Sequence, residues 1–273
     1  MKSVLRSIQK QIHTALMSVG SMSPGAIDMV KVFALTAMFF DHLNSLFLNP
    51  PLPELYALGR MVFPVFVIIW ARNLSHNPGS LQTRATRMWM WALIAQPVFW
   101  LAFQHQQPWY AMNILFVFAG VTQLVALSHR YGITGTLAGI LLLVILAFPL
   151  HPASYGVTGL VFSTAVVAMF SPFAQVATFR KIVMIIAAGA LFCLNGITHL
   201  FARPLDTLVI AILPGLLLPV MAVWLAVRLK PTGSPRFMPR RFFYHAYVGH
   251  LLLLALFLTF HRGSVWISKI IVR

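Results

Sequence analysis

Apolar residues fill nine stretches of the chain, at about residues 27–48, 59–75, 86–104, 111–128, 133–150, 155–171, 181–198, 207–228 and 243–260. At ~1.5 Å per helical residue, each is long enough to cross a hydrocarbon core of ~30 Å. The polar breaks between them are short. Pro50, Pro51 and Pro53 stop the first stretch, and the most polar of the later connections is PTGSPRFMPRR, from Pro231. There is no short-period repeat and no separate soluble domain. The pattern predicts an all-α, polytopic integral membrane bundle of about nine transmembrane spans.

Composition agrees with this. Of 273 residues, 59% are apolar and 9% charged, against about 25% charged in a soluble domain. The net charge of +16 does not form one basic patch, so nucleic acid is not the expected partner. The basic residues fall in clusters between apolar runs, where they act as topology signals. With the N-terminus inside, fourteen basic residues lie in inner segments and span ends, from Lys2, Arg6 and Lys10 to Arg240 and Arg241, and only Arg203 lies in an outer loop. That asymmetry places the N-terminus in the cytoplasm. Residues 1–26, with Lys2, Arg6 and Lys10 at a spacing of four, predict an amphipathic segment on the inner membrane face. Residues 27–260 form the membrane domain. Residues 261–273 are a basic tail with Arg262, Lys269 and Arg273; either it lies along the outer face, or the span count is off by one. Cys193, the single cysteine, excludes an internal disulfide and reads as a packing residue.

Only four residues are acidic: Asp28, Asp41, Glu54 and Asp206. Asp41 stands beside His42 inside the first apolar stretch, in FFDHLN. Ionisable groups at such depth are functional candidates. Lys31 and His42 are 11 positions apart, three helical turns, so they share a helix face about 16 Å apart. His42 supplies a general base, since histidine titrates near neutrality. Asp41 lies about 100° round the helix from His42 and needs a partner on another element. Arg60, which opens the second stretch at similar depth, is the best candidate; Arg60 and Lys31 also read as snorkelling anchors. A second cluster, FFYHAYVGHLLLL at 242–254, contains His245, Tyr247 and His250. Tyr247 and His250 nearly share a face, whereas His245 does not join them. No pair of ligands at four-residue spacing has a carboxylate beside it, so no metal site is predicted. Asn113 opens the fourth stretch. Arg84 and Arg87 open the third, either as phosphate ligands or as ordinary positive-inside markers.

Several segments together resemble the TraX family, the pilin acetylases of conjugative plasmids: KVFALTAMFFDHLN, GRMVFPVFVIIWARNL, TRATRMWMWALIAQPVF, NILFVFAGV, YGVTGLVFS and AYVGHLLLL. The resemblance covers about residues 28 to 258. A more distant similarity is to membrane acyltransferases that acetylate surface sugars, whose first span carries a basic residue, ten intervening positions and a histidine. Here the basic position is Lys31 rather than arginine. The resemblance implies a multi-pass protein of the bacterial inner membrane that transfers acetyl from acetyl-CoA, as co-substrate, to the N-terminal amine of a pilin subunit. It implies His42, Asp41, Arg60 and His250 as catalytic residues. Lys31, Arg84, Arg87, Asn113 and Tyr247 are then expected around the acetyl-CoA. Arg60, Asn113 or His250 would donate to the developing oxyanion.

Three other readings stand beside this one. The first takes a glycan or lipid hydroxyl as the acceptor. Asp41, His42 and Arg60 also suit a proton relay in a transporter, although no two halves of the chain carry matching broken spans. A structural assembly factor would need none of these side chains.

Overall fold

The computed structural model describes residues 22–75, 78–194, 200–239 and 241–271. The predicted amphipathic segment lies almost wholly outside the described residues. Among those described, all regular structure is helical.

Helix α1, Pro24–Phe47, starts where Ser23 accepts a hydrogen bond from Ala26 N–H with Pro24 at the first helical position, the ordinary chemistry of a helix start. It ends before the prolines. There Asn44 bonds both the N–H (2.7 Å) and the carbonyl (2.9 Å) of Leu52, which returns the chain into the short helix α2, Pro53–Gly59. Helix α3 is Val62–Ser75 and α4 is Leu81–Phe103. Next comes α5, Leu115–Leu150, which bends back on itself at Gly132 (φ 60°, ψ −131°). Gly135 lies against Leu127, Gly139 against Leu124, and Gly120 against Leu143 and Leu146. Residues 115–131 and 133–150 therefore run antiparallel, with backbones brought close by glycine as in other membrane helix pairs. Helix α6 is Gly156–Met169, α7 is Ala177–Leu194, α8 is Pro204–Leu229 with a π-helical stretch at Thr207–Ile212, and α9 is Phe242–Ile271.

Among the described residues, each predicted apolar stretch overlaps a helical segment. The expected number of spans is a different matter. Among the described residues, five segments are long and apolar enough to cross a membrane: Pro53–Ser75, Leu115–Leu150, Ala177–Leu194, Pro204–Leu229 and Phe242–Phe260. The first predicted span, α1, carries Asp28, Lys31 and Asp41, α4 carries Arg84, Arg87 and Gln96, and α6 has only 14 residues; polarity and shortness keep these three off that count. The tail predicted from residue 261 is continuous with α9, which stays helical to Ile271.

Large apolar side chains point outward along α5, α7 and α8, among them Leu141, Val144, Ile185, Leu217 and Met221. So broad an apolar exterior suits a lipid environment and not water. Inside, α9 packs against α4 and α1, and α3 against α1 and α6. Those contacts surround the site.

Candidate functional site

One face of α1 presents Lys31, Leu35, Met38, Asp41 and His42 to a cavity of about 970 Å³. The three- and four-residue spacing of an α-helix puts these positions on one stripe. The cavity runs along the length of α1. Where α1 ends and α2, α3 and α6 begin or end nearby, its wall holds Asp41, His42, Gly59, Arg60, His151 and Tyr155. Where α1 and α4 begin and α3 ends, the wall holds Lys31, Arg72, Arg84, Arg87 and Arg236.

The histidines carry the main geometric finding. His42 Nδ1 and His250 Nε2 are 3.0 Å apart, and His250 Nδ1 is 3.1 Å from the Ala246 carbonyl. A carbonyl only accepts, so His250 Nδ1 carries the hydrogen. With both rings neutral, His250 Nε2 then accepts, and His42 Nδ1–H donates. The lone pair of His42 is thereby fixed on Nε2, on a ring that lines the cavity. The rings lie 5.2 Å apart and 14° from parallel. Phe103 meets His42 edge-on at 5.2 Å, and Tyr247 meets His250 at 5.5 Å. Second nitrogens held in this way orient imidazoles in catalytic and metal sites alike.

Asp41 finds its expected partner. Arg60 Nη2 is 3.6 Å from Asp41 Oδ2. Arg60 also bonds through Nε to the Tyr56 carbonyl (3.4 Å), and its guanidinium stacks 4.1 Å over the Tyr56 ring. The Asp41 carboxyl packs directly on Gly59, where a Cβ would overlap it. Glycine at 59 makes room for the pair. Nearby, Tyr155 adopts a left-handed backbone (φ 64°) and stacks on Phe63 at 4.9 Å. For a bulky residue this conformation is uncommon and costs strain.

At the basic end, Lys31 pairs with Asp28 one turn earlier (3.7 Å) and lies 4.8 Å over the Phe243 ring. Arg84 Nη1 donates to the Asn73 carbonyl at 2.5 Å, which caps the end of α3. Arg87 is exposed and lines the cavity.

Of the expected site residues, His42, Asp41, Arg60, Lys31, Arg84, Arg87 and Tyr247 line this one cavity, and His250 backs His42. Asn113 does not join them. It is fully buried and donates to the Ala92 carbonyl (2.9 Å) and Gln96 Oε1 (2.8 Å), while its side-chain Oδ1 accepts from Leu115 N–H. It fastens the start of α5 to α4. Three residues enter that no site prediction included. Arg72 and Arg236 had read only as inner topology charges, and their convergence needs the fold. Tyr155 stood out only as the first residue of YGVTGLVFS.

The family profile described as TraX protein matches residues 26–258. Protein TraX of Escherichia coli is 31% identical over 248 residues, covering 91% of this chain and 93% of that protein. Protein TraX of Escherichia coli strain K12 is 36% identical over 154 residues, covering 56% of this chain and 60% of that protein. No solved structure matches the chain.

Proposed function

The chain belongs to the TraX family, and from that membership we propose that it is an integral-membrane acetyltransferase. In this reading it moves acetyl from acetyl-CoA to the N-terminal amine of a conjugative pilin subunit. The protein sits in the bacterial inner membrane with its N-terminus in the cytoplasm and crosses nine times, with α1 and α6 as spans and α5 as two. The supporting observation is the single cavity with cations at one end and His42, backed by His250, toward the other. Acetyl-CoA enters from the cytoplasm, its phosphates among Lys31, Arg84 and Arg87. Its pantetheine arm extends along α1 for the ~16 Å between Lys31 and His42.

The neutral acceptor amine adds to the thioester carbonyl as His42 Nε2 takes its proton. A carbon–nitrogen bond forms and the carbonyl oxygen becomes an oxyanion. Asn113 and His250 are occupied, so Arg60 is the donor facing that charge. Collapse breaks the carbon–sulfur bond, and the thiolate leaves with the proton held by His42.

Intact-mass measurement of pilin from cells with and without this protein tests the acceptor. The expected result is a gain of one acetyl group only when the protein is present. An unchanged pilin mass together with altered acetylation of surface sugars would replace the amine by a hydroxyl acceptor.

A further inference from the structure

We propose that the connection between α8 and α9 is a strap that reads the phosphorylated head of the thioester donor, with Arg236 as its specificity residue. The inference rests on the acetyltransferase reading and adds a contact to it.

Residues 230–239 do not hang free from the bundle. Ser23 Oγ donates to the Lys230 carbonyl (3.0 Å), and Gly25 N–H donates to the Ser234 carbonyl (3.1 Å). Met238 N–H donates to Asp28 Oδ2 at 3.2 Å. Lys230 lies 5.4 Å over the Phe237 ring. The fit at Gly25 is close: a Cβ there would stand 2.7 Å from the Pro235 carbonyl oxygen. Three hydrogen bonds and this contact tie the strap across the start of α1.

The tethering fixes where Arg236 stands. It lines the same end of the cavity as Lys31 and Arg87 while remaining exposed. Asp28 is the carboxylate at this end, and it is already committed to Lys31 and to the Met238 N–H. The cations therefore outnumber the anions around one opening. Cations that merely mark the inner face point toward lipid headgroups or water. Here residues from α1, α3, α4 and the strap converge on one cavity, an arrangement suited to a ligand with several phosphates. A nucleotide thioester carries such a head, and a bare pantetheine thioester does not.

The test uses the full-length protein in nanodiscs and compares acetyl-CoA with S-acetylpantetheine, which keeps the thioester and arm but has no phosphate. Wild-type protein is expected to prefer acetyl-CoA. Arg236→Gln is expected to lower that preference, as the ratio of the two kcat/KM values, by about tenfold or more, the loss of one hydrogen bond to a charged group. The change should lie in KM for acetyl-CoA. General damage would lower both donors and leave the ratio intact. Lys181→Gln, on α7 and outside the cavity, should keep the wild-type ratio. An Arg236→Gln protein with the wild-type ratio overturns the proposal. So does a preference that disappears when phosphatidylglycerol is added, which would assign these cations to an anionic lipid. Transfer from neither donor would overturn the acetyltransferase reading along with it.

Discussion

At the scale of the residue, the two nitrogens of His42 have separate tasks. Nδ1 is engaged with His250 at 3.0 Å and Nε2 keeps its lone pair. His42→Ala is therefore expected to lower acetylation at least about 10²-fold, the ordinary worth of a positioned base, with normal amounts of protein in the membrane by immunoblot. His250→Ala removes the orienting partner and not the proposed base. It should lower kcat by about 10- to 100-fold, the usual loss for an orienting partner, with little change in KM for acetyl-CoA. A loss in kcat for His250→Ala well above about 100-fold would contradict this division. The sequence placed Asp41 and His42 on different bearings round α1, and so directed Asp41 to Arg60. The partnership with His250 was not legible, because 208 residues separate the two histidines and only the packing of α9 on α1 joins them. Asn113 lies off the cavity wall for a physical reason: a buried amide at a helix start serves the local backbone first.

The elements owe their geometry to a few small residues. In the α5 hairpin, a Cβ on Gly135 would run into the Leu127 backbone carbonyl, which cannot yield as a side chain end can. Gly135→Ala should destabilise by about 1–3 kcal/mol, as overpacking commonly does, read as a lower Tm in detergent. At the α2–α3 junction, Gly59→Ala would push the Asp41 carboxyl away from Arg60. There the loss should appear in activity as well as in Tm, and a variant with full activity would separate the ion pair from the chemistry. Apolar stretches marked the long helices because length and composition decide them, but not the short α2, which lies before the second stretch. Span number was less legible, since α1 gives up apolar character to Lys31, Asp41 and His42, α4 to Arg84, Arg87 and Gln96, and α6 is short. The turn at Gly132 was visible only as a gap between two stretches, and its antiparallel sense comes from glycine contacts.

At the scale of the molecule, the site depends on α1 bridging two ends of one cavity. The basic end belongs to the side where inner charges collect in the sequence, which agrees with donor entry from the cytoplasm. Reporter fusions should then place the α6–α7 connection near Arg180 inside and the α4–α5 connection near His105 outside; the reverse would invert donor and acceptor sides. In the proposed reaction, acetyl passes along this cavity to an amine with His42 as base. Proteoliposomes with the cytoplasmic face outward, labelled acetyl-CoA outside and a peptide with the pilin N-terminus enclosed test this passage. Labelled, N-acetylated peptide is expected inside with the wild-type protein and none above background with His42→Ala. Undiminished labelling with His42→Ala, or labelling only when donor and peptide share a compartment, would contradict it.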